Sequence, residues 1–205
     1  MDEEKLSNWN KNRITILLLA LNITGYLLCI QMGGIVYSVG SMDAEHVLID
    51  HQYYRMLSAM FLHADIEHIV SNMIFLVGLG QMIEGTIGHI RFIVLYLLSG
   101  LCGSAFSIAH AIHSQTLYHS VGASGAIFGL IGALFVLVII HHGTFQRISI
   151  KRILFAIVYM VYSGFSAQQI DNAAHIGGLL GGIIIIAVMN FIKVFVKREG
   201  TLGEN

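Results

Sequence analysis

Six long apolar runs dominate this sequence and exclude most soluble folds. They lie at about residues 14–36, 66–84, 90–110, 122–141, 150–167 and 172–194. A helix needs roughly 20 apolar residues to cross a bilayer, whereas a membrane barrel uses shorter segments of alternating polarity. Only 11% of the residues are charged, against about 25% in soluble domains. The sequence therefore predicts an all-α, polytopic membrane helix bundle with six transmembrane helices.

The runs follow one another without a second domain or a linker. A longer and more polar stretch, Ser38 to Asp65, separates the first two, and the other connections are short. We predict one six-span membrane domain over residues 1–197 and a polar C-terminal tail over 198–205. The first run is too long for a signal-peptide core and lacks a small-residue cleavage pattern, so we expect it to be retained.

The lysines and arginines predict which side of the membrane each connection occupies. With six spans, both termini share a side with the connections between spans 2 and 3 and between spans 4 and 5. Arg55 is the exception among the 11 basic residues, because the rest fall on that side: Lys5, Lys11, Arg13, Arg91, Arg147, Lys151, Arg152, Lys193, Lys197 and Arg198. Cytoplasmic loops carry such an excess. We therefore predict a multi-pass protein of the cell membrane with both termini cytoplasmic.

Polar side chains gather where three spans enter from the other, outer side. Polar groups within membrane spans are costly and indicate function by default. They occur at the start of span 2, at Ser124 in span 4 and at the start of span 6: His63, His68, Asn72, Ser124, Asn172 and His175. The predicted topology thus brings a hydroxyl, imidazoles and amides to one level of the membrane.

Ser124 and His175 each lie among small residues. Ser124 is flanked by Gly122 and Gly125, and His175 is followed by Gly178 and Gly182. The last two are four residues apart, a spacing that permits close contact between membrane helices. If spans 4 and 6 pack closely, the imidazole comes within reach of the hydroxyl. A serine hydroxyl becomes a good nucleophile when an adjacent base accepts its proton, so the pair predicts nucleophilic catalysis.

Acyl transfer also needs hydrogen-bond donors for the developing oxyanion. Ser124 lies near a predicted helix start, where backbone N–H groups are free. His68 and Asn72 are four residues apart and share one face of span 2. Two roles remain open for this pair: His68 and Asn72 either donate hydrogen bonds to the oxyanion or form a polar cluster that faces water at the helix N-terminus.

Three motifs in this order resemble the rhomboid family of intramembrane serine proteases, in its minimal six-span bacterial form. The matching pieces are Gly122-Ala-Ser124-Gly125, Ala174-His175-Ile-Gly-Gly-Leu-Leu-Gly-Gly182, and Phe61-Leu-His63 followed by His68 and Asn72. The resemblance covers nearly the whole chain. It implies a catalytic dyad of Ser124 and His175, and an oxyanion hole formed by the Ser124 backbone N–H, His68 and Asn72.

The resemblance also implies the partners of the protein. Transmembrane protein substrates and the lipid bilayer are the expected partners; no nucleic acid and no cofactor are expected, and the oligomeric state is left open.

Two positions depart from the commonest family pattern. Tyr54-Arg55 stands where the family often has Trp-Arg, so we expect the first outer loop to keep its place at the lipid interface. Phe128 stands where some members have a tyrosine stacked on the histidine, and it shares a helical face with Ser124.

Other assignments of the polar residues remain open from sequence alone. Asp171 precedes His175 by four residues, so it either caps span 6 or orients the imidazole. Glu84 lies near the inner end of span 2, where a structural hydrogen-bonding role is expected. The 11 histidines make a metal site an alternative, but no H-E-x-x-H or H-x-x-E-H metal-binding pattern occurs. The rival functions are a catalytically inactive rhomboid-like membrane-protein binder and a small transporter or channel.

Overall fold

The computed structural model describes residues 11–116, 119–146, 148–155, 157–158 and 170–202. These residues form a nearly all-α bundle. The helices and strands are, in chain order, α1 (Arg13–Met32), α2 (Gly34–Gly40), α3 (Ala44–Leu48), α4 (Arg55–Ser58), a 3₁₀ turn (Ala59–Phe61), α5 (Ile66–Ile87), α6 (His89–Ser114), α7 (Ser124–Ile140), β1 (Thr144–Phe145), β2 (Ile148–Ser149) and α8 (Asn172–Leu202).

Four of these helices are long and apolar enough to cross a membrane: Arg13–Met32, Ile66–Ile87, His89–Ser114 and Asn172–Ile192. Large apolar side chains project from their outer faces, among them Ile74, Ile90 and Phe191, which are 67%, 75% and 71% exposed. Such a surface is unfavourable in water and suits a bilayer. The chain is therefore a multi-pass helical membrane protein, as its apolar runs predict.

The 17-residue helix α7 lies at the centre of the bundle. It packs against α5, α6 and α8, and most of its side chains are buried, including Phe128, Leu130 and Leu134. After Ser124, α7 contains no polar side chain, so it needs no contact with water below that residue. At 17 residues, α7 is at the short limit for a membrane span, and longer helices enclose it.

The predicted runs 66–84, 90–110 and 122–141 correspond to α5, α6 and α7, whereas the first and last runs differ in their bounds and the fifth is described only in part. The first run, 14–36, is broken at Gly33, whose φ of 54° ends α1 and lets α2 begin at Gly34. The fifth run, 150–167, is helical at 150–155 and 157–158, and the rest of it lies outside the described residues. The last helix, α8, continues to Leu202, five residues into the predicted tail.

The polar stretch between α1 and α5 is held together from within. Arg55 is 3% exposed, and its guanidinium donates to the backbone oxygens of Ser41 and Ser38, each at 2.8 Å, and to the side-chain oxygen of Gln52. Tyr54 beside it is 56% exposed. The loop carbonyls therefore enclose the Arg55 cation, and the expectation that this loop lies at the lipid interface stays a prediction.

A buried carboxylate ties α1 to α5 at the opposite end of the bundle from Ser124. Glu84 is 1% exposed and accepts hydrogen bonds from the backbone N–H groups of Ile14 and Thr15, at 2.9 and 2.8 Å, and from the Thr15 hydroxyl. The ring of His89 contacts Oε1, the oxygen that also accepts the Ile14 N–H. The first N–H groups of a helix lack partners within the helix, so Glu84 caps α1 from another span, as its expected structural role requires.

Candidate active site

Ser124 is the first residue of α7, and the turn before it is fixed by two backbone contacts. Met42 and Ser120 exchange N–H···O bonds of 3.1 and 2.7 Å, and the Gly122 N–H donates to the Ala59 oxygen at 2.9 Å. Gly122 has a φ of 123°, which side-chain-bearing residues rarely adopt. The loop between α1 and α5 therefore holds the turn in which Ser124 begins α7.

His175 lies in the first turn of α8 and meets Ser124 across the helix interface. Its Nε2 is 2.9 Å from the Ser124 Oγ. The ring of Phe128, one turn after Ser124, is stacked on the imidazole with centroids 4.1 Å apart and planes 9° apart. His175 is 9% exposed, so the imidazole is held in place by packing on one side and by the hydroxyl at its edge.

Glycines bring α7 and α8 close enough for this contact. A Cβ on Gly178 would overlap the backbone carbonyl of Gly125, and one on Gly182 would overlap that of Gly129. The small faces therefore contact one another backbone to backbone, the arrangement in which the Gly178–Gly182 spacing is typical. Gly103 of α6 adds a third contact, because it packs against the carbonyl of Ala174 next to His175.

Asp171 caps α8 and does not contact the imidazole. Its Oδ1 accepts the backbone N–H of Ala174 at 2.9 Å, which is the usual N-cap contact, and its Oδ2 accepts the hydroxyl of Ser107 in α6. The Nδ1 of His175 is buried and has no hydrogen-bond partner within the described part of the chain. Of the two roles that the sequence left open, the structure shows the cap.

His68 and Asn72 lie in the first two turns of α5. The His68 ring packs directly on Gly122, where a Cβ would come within 2.6 Å of its Nε2. Asn72 is buried, and its amide nitrogen donates to the His68 backbone oxygen at 3.0 Å. An amide carries a second N–H, which this bond leaves free. The ring of His63 lies edge-on to that of His68, with centroids 5.0 Å apart.

Burial sets the protonation of His63, which precedes α5. The side chain is fully buried, and burial together with the neighbouring His68 lowers the pKa of His63 to about 4. It is therefore neutral at physiological pH. A neutral His63 beside His68 avoids two adjacent imidazolium charges in a poorly solvated site.

The geometry suits proton transfer from a hydroxyl to an imidazole, with backbone and side-chain donors nearby. The α7 N-terminus presents free N–H groups at Ser124, and the imidazole of His68 packs on Gly122 in the turn before it. Within the described ranges, no three His, Cys, Asp or Glu side chains are arranged to hold a metal ion. Cys29 and Cys102 are free thiols.

Three residues that contribute to this site were not predicted from the sequence. Gly129 and Gly103 provide the close approach of α8, and Ser107 holds the carboxylate that caps it. A signal was present for Gly129, because it follows Gly125 by four residues and so repeats the spacing of Gly178 and Gly182. Gly103 and Ser107 lie in a span without a catalytic motif, and nothing in their local sequence pointed to the site.

The chain matches the family model described as the Rhomboid domain over residues 50–190. This match covers more than half of the chain and includes all the site residues named above from α5, α7 and α8. It begins after the part of the first outer loop that contains Met42.

Named relatives support the same family. The chain is 33% identical over 195 residues to "Rhomboid protease GluP" of Bacillus subtilis (strain 168), covering 92% of this chain and 37% of that protein. It is 37% identical over 149 residues to "RHOMBOID-like protein 2" of Arabidopsis thaliana, covering 72% of this chain and 45% of that protein. "Putative rhomboid protease YdcA" of B. subtilis is 29% identical over 149 residues, which cover 73% of this chain and 70% of that protein. The chain thus spans less than half the length of the first two relatives.

Proposed function

The chain belongs to the rhomboid family, and from that premise we propose that it is an intramembrane serine endopeptidase. It cleaves transmembrane segments of membrane proteins with a dyad of Ser124 and His175, through an acyl-enzyme intermediate. The observation that carries the proposal is the 2.9 Å separation of the Ser124 Oγ and the His175 Nε2, in a site enclosed by membrane helices.

In the first half of the reaction, the His175 Nε2 accepts the Ser124 proton as Oγ attacks the scissile carbonyl carbon. The tetrahedral intermediate collapses when His175 returns that proton to the leaving amine and the C–N bond breaks. In the second half, a water gives a proton to His175 and attacks the ester carbonyl carbon. His175 then returns that proton to the Ser124 Oγ as the ester C–O bond breaks, which releases the acid and regenerates Ser124. The stacked Phe128 keeps the imidazole plane fixed during both proton transfers.

The oxyanion is stabilised at the start of α7 by the Ser124 backbone N–H and by side chains of α5. The contact of the His68 ring with Gly122 supports a donor at that position. Asn72 contributes its second amide N–H after a small rotation, since the first is bonded to the His68 carbonyl. Each such donor is worth about 2.7–4 kcal/mol of transition-state stabilisation where comparable donors have been removed.

The same proposal includes the topology. The rhomboid domain spans residues 1–197 with six membrane spans, the fifth of them at 150–167, and 198–205 follow it. Both termini face the cytoplasm of a cell membrane, and Ser124 opens toward the outer side, where water enters. The asymmetry of the basic residues supports this orientation.

Cleavage of a transmembrane substrate by purified full-length protein tests the proposal. Wild type, Ser124→Ala, His175→Ala and the control Ser120→Ala are compared in the same detergent, since Ser120 lies in the same turn and contributes backbone atoms to the bridge with Met42. Wild type and Ser120→Ala are expected to cleave, and the other two to show no cleavage. If folded wild type does not cleave, or if Ser124→Ala still does, the proposal is wrong and the inactive binder becomes the leading alternative.

A further inference from the structure

A second concave site lies at the end of the bundle away from the dyad. A cavity of about 110 Å³ opens between the ends of α5 and α7, the start of α6 and the latter part of α8. Its polar lining residues are Thr86, Arg91, His141 and Asn190. Asn190 follows His175 by 15 residues in α8, which corresponds to roughly 22 Å at about 1.5 Å per residue. The cavity is therefore separate from the proposed active site.

Arg91 and Asn190 supply the free hydrogen-bond donors of this cavity. The His141 Nδ1 donates to the Leu137 backbone oxygen at 2.7 Å, so Nε2 of the neutral ring is an acceptor, and the Thr86 hydroxyl donates to the Met82 oxygen. The Asn190 amide donates one N–H to the Ile186 oxygen at 2.9 Å and keeps a second. Arg91 adds the five N–H groups of its guanidinium.

The electrostatics of the cavity favour an anion. Among the residues that the structure describes, no carboxylate lines the cavity and none forms an ion pair with Arg91. Glu84, the acidic residue of α5 at this end, is already engaged by the start of α1 and by His89. A guanidinium binds phosphate oxygens in a bidentate manner. The Arg91 cation and the free donors beside it therefore suit a phosphate group.

The position of the cavity identifies the source of that phosphate. Arg91 lies in the first turn of α6 and Thr86 in the last turn of α5, so both are at the boundary where a span leaves the bilayer. Ile90, next to Arg91, is 75% exposed and so faces acyl chains, and the cavity lining also includes Ile87 and Met189. Basic pockets at such a depth bind acidic headgroups with the chains alongside.

We propose that this cavity binds the phosphate group of an anionic phospholipid of the surrounding bilayer. Arg91 contacts the phosphate oxygens in a bidentate manner, and Asn190 donates its second amide N–H to the same group. The lipid tail lies along the exposed apolar face beside Ile90. This site is separate from the dyad, since roughly 22 Å of α8 lies between Asn190 and His175.

Native mass spectrometry of the full-length protein, titrated with phosphatidylglycerol, tests this proposal. The variants are Arg91→Gln and Asn190→Asp, the second of which places a negative charge in the cavity with little change of shape. Lys151→Gln is the matched control, because Lys151 is an exposed cation at the same end of the bundle but outside the cavity lining. Parallel titrations use phosphatidylcholine and inorganic phosphate, and circular dichroism verifies the fold.

Wild type and Lys151→Gln are expected to bind one phosphatidylglycerol with the same affinity within about twofold. Arg91→Gln is expected to bind it about tenfold more weakly, the loss typical of a charge-assisted hydrogen bond, and Asn190→Asp to bind at least as weakly. Equal affinity in wild type and both cavity variants, or equal losses in Arg91→Gln and Lys151→Gln, overturns the site. Displacement of the lipid by inorganic phosphate at equal concentration, or equal binding of phosphatidylcholine, overturns its assignment to an anionic lipid.

Discussion

Gly178 of α8 packs directly on the backbone carbonyl of Gly125, the residue after Ser124 in α7, with no room for a Cβ between them. The same contact recurs one turn on, between Gly182 and the carbonyl of Gly129. His175 precedes Gly178 by one turn of α8, so this approach of the two backbones sets the distance between the imidazole and the serine hydroxyl.

Gly178→Ala is therefore expected to separate α7 from α8. Overpacking of a tight interface costs about 1–3 kcal/mol, and activity should fall with stability because the dyad is displaced. Gly78→Ala is the control, since Gly78 lies within α5 with open space around it, and alanine there should stabilise the helix by about 0.5–1 kcal/mol. Thermal unfolding in detergent measures both effects, and equal stability of the two variants would contradict the packing role.

Phe128 holds the imidazole of His175 by ring stacking, so the shape of this side chain should affect catalysis. Aromatic pairs contribute about 0.5–1.5 kcal/mol beyond burial, and Phe128→Leu is expected to lower kcat/KM about two- to tenfold. Phe128→Tyr keeps the ring and should stay within about twofold of wild type. The measurement is kcat/KM on a transmembrane substrate, corrected for the folded fraction. Equal values for Leu and Tyr would show that stacking is unimportant.

Glu84→Gln is expected to destabilise the protein without touching the dyad. The amide retains one acceptor oxygen where the carboxylate serves Ile14 and Thr15 of α1, and losing charged acceptors costs about 1.5–3 kcal/mol. Asp50→Asn, which removes an exposed carboxylate from the outer loop, should change stability by less than about 0.5 kcal/mol. Thermal unfolding compares the two, and a Glu84→Gln variant as stable as Asp50→Asn would show that the cap contributes little.

The buried His63 predicts a pH dependence of stability. Its pKa is lowered to about 4, whereas an unfolded histidine titrates near 6.5. Between these values the unfolded state binds more protons, so stability is unaffected above about pH 6.5 and falls by up to about 3 kcal/mol as the pH drops toward 4. Unfolding measured from pH 8 to pH 4.5 should show this loss.

Replacing His63 should flatten that acid limb, because the buried titrating group is gone. His63→Gln is compared with His51→Gln, since His51 is exposed in the outer loop. A pH slope that is unchanged in His63→Gln would assign the acid sensitivity to other groups.

The site residues of α7 and α8 were predictable from the sequence because helix length fixes depth in a membrane. An apolar run that spans a bilayer places its first residues at one surface, so Ser124 and His175 fall at the same level. The paired glycine spacings then indicate which helices touch. Both the helix lengths and the glycine spacings can be recognised in the local sequence, without knowledge of the rest of the fold.

The first outer loop was less predictable because its stability depends on contacts distant in sequence. Arg55 is enclosed by the carbonyls of Ser38 and Ser41, 17 and 14 residues before it. No local sequence pattern predicts such a buried cation. The break at Gly33 was also missed, since an apolar run gives no sign of a positive φ. The bridge from Met42 to Ser120 joins two loops whose sequences show no strand pattern.

Mapping of a covalent adduct tests the central claim most directly. Folded full-length protein is treated with a fluorophosphonate probe, which traps serines activated by a neighbouring base, and the modified peptide is identified by mass spectrometry. The account predicts one adduct, on Ser124, which disappears in His175→Ala and persists in Ser120→Ala. No adduct on folded wild type, or an adduct on another serine that survives in Ser124→Ala, would contradict the dyad.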